Sequence, residues 1–192
     1  MSKFFIPLAL LFCLSLHSAL ISAHYGGLSP SSSPRSGSAL IQKACQGISK
    51  CISTLESAPE NQKADANGLI FFSLKFAEDQ AANFSGVIKV LNTNPDLVPM
   101  VQSSLSDCID HYSPVGDLIE DAINAVFAGV YSDAIKFLEA AVGDVDTCGS
   151  LLQSRIGDKS DSQVHFELPD DVLSLNYSLK ITLSAALNLL KA

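Results

Sequence analysis

Apolar residues recur along this chain in steps of three and four, the period of a helix that buries one face. One ladder reads Ile70, Leu74, Ala77, Ala81, Phe84, Ile88, Leu91. It predicts a long helix that begins after Pro59 and ends at Thr93-Asn94-Pro95, because the residue before a proline is driven out of the helical region. A second ladder reads Leu97, Val101, Leu105, Cys108, Tyr112, Val115, Ile119, Ala122, Val126. Ser113-Pro114 falls inside it, so a kink is expected there: proline lacks the N–H, and its ring crowds the preceding turn. After Ala128-Gly129 the period resumes as Ala134, Leu138, Ala141, Val145, Cys148, Leu152. Residues 156–166 are polar and charged and read as a long loop. A last helix starts near Pro169-Asp170-Asp171, where two acids suit the positive end of the helix dipole. Its seam is Val172, Leu175, Leu179, Leu183, Ala186, Leu190, with Lys191 at the negative end. Four amphipathic helices of similar length predict an all-α fold, an up-down-up-down four-helix bundle.

Two cysteines lie on these seams. Measured from Gly129, Cys108 is 21 residues back and Cys148 is 19 residues forward. At about 1.5 Å per residue both stand roughly 30 Å from the hairpin tip, so antiparallel folding brings them face to face. A disulfide between the two helices is the simplest reading, and it requires an oxidising compartment. Cys45 and Cys51 are the other two cysteines of the helical region. In a continuous helix they would be about 9 Å apart along the axis and on different faces, beyond the roughly 7 Å that a disulfide spans. If they pair, the chain must break between them, and Gly47 is the residue that permits it. A small helical hairpin ahead of the bundle would result. Four cysteines allow three pairings. Zinc is a poor competitor, since there is no CxxC spacing and no histidine within ligand spacing of a cysteine pair.

The N-terminus supports the oxidising compartment. Lys3 precedes an apolar run from Phe4 to Leu16, and Ile21-Ser22-Ala23 offers small residues for cleavage. Residues 1–23 are expected to be a secretory signal peptide, removed together with Cys13. Residues 24–38, rich in Ser, Pro and Gly, are expected to form a flexible arm. Residues 39–192 form the expected bundle domain, long enough for a full core. The chain has no Trp and 12 basic against 20 acidic residues. Loss of Lys3 leaves 11 basic residues and a net charge of −9. Such a surface repels nucleic acid and anionic polysaccharide and suits a basic protein partner. No second stretch is long and apolar enough for a membrane span.

No catalytic motif is present: no GxSxG, HExxH, P-loop or GxGxxG. Asp158, Ser160 and Asp161 lack the glycine and the spaced Glu of a calcium loop. His24 and His165 fall in polar segments. His111, near Asp107 and Asp110, is expected to be a surface residue rather than part of a Ser-His-Asp triad. Two sequons, Asn83-Phe84-Ser85 and Asn176-Tyr177-Ser178, are candidate N-glycosylation sites, each asparagine one position from a seam residue.

Several of these features occur together in one family. A secretory leader precedes the close pair Cys45 and Cys51, followed by Ser53-Thr54-Leu55. Leu105-Ser106-Asp107-Cys108 has Tyr112 four residues on, and Ala140-Ala141 precedes Thr147-Cys148. Asn176-Tyr177-Ser178-Leu179 and Ala186-Leu187-Asn188-Leu189-Leu190 lie near the end. In this the chain resembles the plant invertase/pectin methylesterase inhibitor family over nearly its whole mature length. The resemblance implies a four-helix bundle with an N-terminal helical hairpin and disulfides Cys45–Cys51 and Cys108–Cys148. The family usually spaces its first two cysteines more widely, whereas here only Gln46 to Lys50 lie between them. The resemblance also implies a secreted, apoplastic, cofactor-free protein that is no enzyme. It would block a secreted carbohydrate-active enzyme by docking 1:1 over the substrate cleft. Invertase inhibitors of the family carry Pro-Lys-Phe just after the turn between the second and third helices. The equivalent positions here are Tyr131, Ser132 and Asp133, the candidate partner-binding residues. Pectin methylesterase is therefore the expected target, with acid invertase, or no enzyme target at all, as the alternatives.

Overall fold

The computed structural model describes residues 34–156 and 170–192. The signal peptide, most of the arm, His24, His165 and the Asp158-Ser160-Asp161 cluster lie outside the described residues. Those residues form helices α1 (Pro34–Cys45), α2 (Ser49–Glu56), α3 (Glu60–Lys63), α4 (Ala66–Asn92), α5 (Pro99–Tyr112), α6 (Val115–Phe127), α7 (Tyr131–Ile156) and α8 (Asp170–Leu190). Four rods make the bundle: α4, the jointed pair α5–α6, α7 and α8. Each rod packs on its chain neighbours, and α8 closes the ring against α4. This is the up-down-up-down arrangement.

The ladders become the core. Ala134, Leu138, Ala141, Val145, Cys148 and Leu152 of α7 are all buried, as are Ile70, Leu74, Ala77, Ala81, Phe84 and Ile88 of α4. Each large aliphatic or aromatic side chain so buried contributes roughly 1.5–3 kcal/mol. The seam of α8 is wider than its periodicity suggests. Asn176, Ser178, Ile181, Thr182, Ala185 and Leu189 are buried beside Leu179, Leu183 and Ala186, whereas Leu175 and Leu190 are only partly covered. The cause is packing on three sides: α8 meets α4, α7 and the α1–α2 hairpin. Asn188 Nδ2 donates to the Ala44 carbonyl at 2.8 Å, which satisfies one of the free carbonyls at the C-terminal end of α1.

The first helix starts earlier than expected. Backbone from Pro34 is helical, so residues 34–38 belong to the folded domain rather than to a flexible arm. Gly37 is buried there, and a Cβ on it would lie 2.3 Å from the Lys63 carbonyl oxygen. At Gly37, therefore, α1 approaches the end of α3 closely. The break between α1 and α2 falls at Gln46 (φ 51°) and Gly47 (φ 82°). Gly47 was the expected hinge; Gln46 shares the left-handed conformation with it. At Ser113-Pro114 the rod divides into α5 and α6. Ser113 and Pro114 both keep right-handed helical angles, and the Pro114 carbonyl accepts from Leu118 N–H at 2.9 Å. The joint is therefore a lost donor within a continuing helical path.

Candidate functional site

The α6–α7 turn is built by a short run of residues with distinct backbone roles. Gly129 adopts φ 72°, a conformation that glycine enters without a Cβ penalty. Its N–H donates to the Val126 carbonyl at 3.0 Å, and Val130 N–H donates to the Ala125 carbonyl at 2.9 Å. That pair of bonds is the Schellman helix ending. Val130 then accepts from Asp133 and Ala134 N–H groups and opens α7. The turn is thus fixed by backbone bonds, and the side chains around it point outward. Phe127 is 72% exposed, and Val130 and Tyr131 are each 42% exposed. Phe127 stands edge-on to Phe71 of α4, with ring centroids 5.4 Å apart. Ser132 is exposed, and Asp133 pairs with Lys136 at 2.9 Å in the first turn of α7.

Tyr131, Ser132 and Asp133 therefore sit at a rigid tip, joined there by Phe127 and Val130, which periodicity did not single out. The signal was present: Phe127 and Val130 flank a glycine turn, where a loop needs no apolar residue. Exposed apolar side chains grouped in this way mark interaction surfaces.

The disulfides hold the elements behind this tip. Cys45 is joined to Cys51, with Cα atoms 5.4 Å apart. Cys108 is joined to Cys148, with Cα atoms 4.4 Å apart, and links α5 to α7. Both cystines are buried. One turn further along α5, Tyr112 donates its hydroxyl to Asn176 Oδ1 at 3.1 Å. Asn176 Nδ2 in turn donates to the Val145 carbonyl at 3.3 Å. A Cβ at residue 149 would lie 2.6 Å from that nitrogen, so Gly149 makes room for the network. Phe84 packs on Tyr112 with ring centroids 4.4 Å apart. Burial pushes the Tyr112 hydroxyl well above its ordinary range. The Tyr112 and Asn176 motifs, 64 positions apart, thus meet in the core.

Asn176, the second sequon asparagine, is thus turned into the core. It is 6% exposed, and the nitrogen that would carry sugar is hydrogen-bonded inside the protein. Asn83 is exposed on α4. His111 lies at the surface of α5, with Nδ1 3.2 Å from Asp144 Oδ1 of α7; its partner is neither Asp107 nor Asp110. Among the described residues no three His, Cys, Asp or Glu side chains form a metal-binding group. No described helix is long and apolar enough to cross a membrane.

The bundle is similar to solved structures. A mutant form of a pectin methylesterase inhibitor from Arabidopsis superposes with a TM-score of 0.67 at 16% identity, over 81% of this chain and 96% of that one. A pectin methylesterase inhibitor from Arabidopsis thaliana superposes with a TM-score of 0.57 at 15% identity, over 80% and 95%. At such identities the likeness establishes the fold. In sequence, the chain is 29% identical to a pectinesterase inhibitor of Actinidia deliciosa, across 57% of this chain and 60% of that protein, less than two thirds of its length. It is 26% identical to a putative invertase inhibitor of Platanus orientalis, across 62% of this chain and 74% of that protein. The family model for plant invertase/pectin methylesterase inhibitors matches residues 39–189, the span that holds both disulfides, the Tyr112–Asn176 network and all four rods. The chain belongs to the plant invertase/pectin methylesterase inhibitor family.

Proposed function

We propose that this protein is secreted to the apoplast and inhibits a cell-wall pectin methylesterase, seating the α6–α7 tip against the enzyme in a 1:1 complex that covers the substrate cleft. The observation that carries the reading is the tip itself. Phe127, Val130 and Tyr131 present an exposed apolar surface on a turn locked by its own backbone bonds, so little ordering is needed on docking. Ser132 and Asp133 follow where invertase-type members have Lys and Phe. A carboxylate at this place repels an acidic invertase cleft, and a Lys that could be attracted to it is missing. An acidic protein (net charge −8 over the whole chain) matches an enzyme whose own substrate is polyanionic.

Acid invertase is the second reading. The putative invertase inhibitor of Platanus orientalis matches a longer stretch of this chain than the pectinesterase inhibitor of Actinidia deliciosa does. The deciding experiment assays the purified protein against a panel of plant pectin methylesterases and acid invertases. Inhibition of at least one pectin methylesterase at 1:1 stoichiometry is expected, with the invertases unaffected. Strong invertase inhibition with every pectin methylesterase untouched would reverse the assignment of target. The same reading gives the protein no turnover of its own.

A further inference from the structure

We propose that Asn83 carries an N-linked glycan and that Asn176, despite its matching sequon, carries none. The two motifs are equivalent in sequence and opposite in structure. Asn176 Nδ2 is bonded to the Val145 carbonyl and its Oδ1 accepts from Tyr112. The sequon serine, Ser178, is buried and accepts from Gln80 Nε2 at 2.8 Å. A sugar at Asn176 would have to lie in the seam among α5, α7 and α8, which has no room even for a Cβ at Gly149.

At Asn83 the conditions at the asparagine itself are reversed, and the sequon serine, Ser85, is half-buried rather than buried. The side chain is exposed on the outer face of α4, and its carboxamide has no hydrogen-bond partner among the described residues. One turn on, a Cβ at Gly86 would meet nothing within 4 Å, so the space beside the carboxamide is open. Asn83 and Gly86 also line a shallow groove of about 520 Å³ between α4 and the start of α8, with Val87, Val90, Leu91 and Val172. Val90 is 71% exposed there. A glycan on Asn83 stands at the rim of that apolar groove, in keeping with the bulky, solubilising character of such sugars.

The step is a glycosyl transfer in the secretory pathway, so it rests on the reading that the chain is secreted. Asn83 Nδ2 forms a bond to C1 of the terminal N-acetylglucosamine of a lipid-linked diphosphate oligosaccharide. The C1–O bond to the diphosphate breaks, the lipid diphosphate leaves with the electron pair, and the amide gives up one proton to a base.

The test expresses the full chain in a plant secretory host, once with its own N-terminus and once with a host leader fused ahead of it. The second form reaches the same compartment whatever the chain's own leader does, so its result bears on Asn83 alone. Peptide N-glycosidase digestion converts each glycosylated Asn to Asp, and mass spectrometry of the peptides reads which residue changed. Conversion at Asn83 and none at Asn176 is expected. Asn83→Gln and, independently, Ser85→Ala should each abolish the mobility shift while leaving the helical circular-dichroism signal unchanged. A bare Asn83 in the host-leader form, or sugar on Asn176, would overturn the proposal.

Discussion

Tyr112, Asn176 and Gly149 form a polar arrangement in the middle of the bundle that joins three rods, α5, α7 and α8. Removing the Tyr112 hydroxyl strands the buried Asn176 Oδ1, and an unsatisfied buried acceptor costs about 1–3 kcal/mol. Tyr112→Phe should therefore lower the urea midpoint by an amount in that range with no change in slope. Gly149→Ala should act through the same asparagine, because its Cβ would sit 2.6 Å from Asn176 Nδ2. The two substitutions together should be less than additive, since both disrupt one network. The same tyrosine also sets a pH dependence. Burial raises its pKa in the folded state above the ordinary value of about 10. The folded protein then holds this proton where the unfolded chain releases it. That contribution is fully present below pH ~10 and is lost as pH rises further. Thermal midpoints measured from neutral to strongly alkaline pH should fall less steeply for Tyr112→Phe than for the natural protein.

At the scale of elements, the hairpin and the two cystines hold most of the measurable consequences. Gln46 adopts φ 51°, a left-handed conformation that costs a residue with a Cβ roughly 1–2 kcal/mol. Gln46→Gly should recover part of that and raise the thermal midpoint. Gly47→Ala should lower it by a similar amount, with no steric contribution, since a Cβ there meets nothing within 4 Å. The Cys108–Cys148 link spans a sequence separation of 40 and the Cys45–Cys51 link one of 6. Chain-entropy reasoning gives about 4 kcal/mol for the long loop and about 2 kcal/mol for the short one. Cys108→Ala with Cys148→Ala should thus destabilise more than Cys45→Ala with Cys51→Ala, read by denaturant titration of the oxidised proteins. Surface pairs between α7 and α8, Lys180 with Asp146 and Lys191 with Glu139, should contribute little to either measurement.

For the whole molecule, the question is which surface an enzyme meets. Phe127 is mostly exposed, so Phe127→Asp should leave the thermal midpoint nearly unchanged while weakening inhibition of pectin methylesterase several-fold. A loss of inhibition matched by a loss of folding would remove the tip from the interface. Replacing Tyr131, Ser132 and Asp133 by Pro-Lys-Phe should raise inhibition of acid invertase. Complex formation driven by the acidic surface should weaken as salt is raised from about 0.05 to 0.5 M. His111→Ala removes only a surface contact to Asp144 and should leave inhibition as it was.

Periodicity alone determined the four rods, the order of their packing, nearly every core position of α7 and most of those of α4, where Leu69 and Ser73 are buried beside the ladder and Leu91 only partly, because burying one face of a helix imposes a period that survives in sequence. The proline joint, the glycine hinge and the facing of Cys108 and Cys148 were legible for similarly local reasons: missing donors, positive φ and counted rise. Tertiary structure alone decided three other things. It extended the first helix back to Pro34, with Gly37 packed against the end of α3. It widened the buried face of α8, because three partners surround that helix. And it separated Asn83 from Asn176, two sequons of the same N-x-S form, because whether an asparagine faces water or a tyrosine 64 residues away depends on what the fold packs against its helix, which the local sequence does not record.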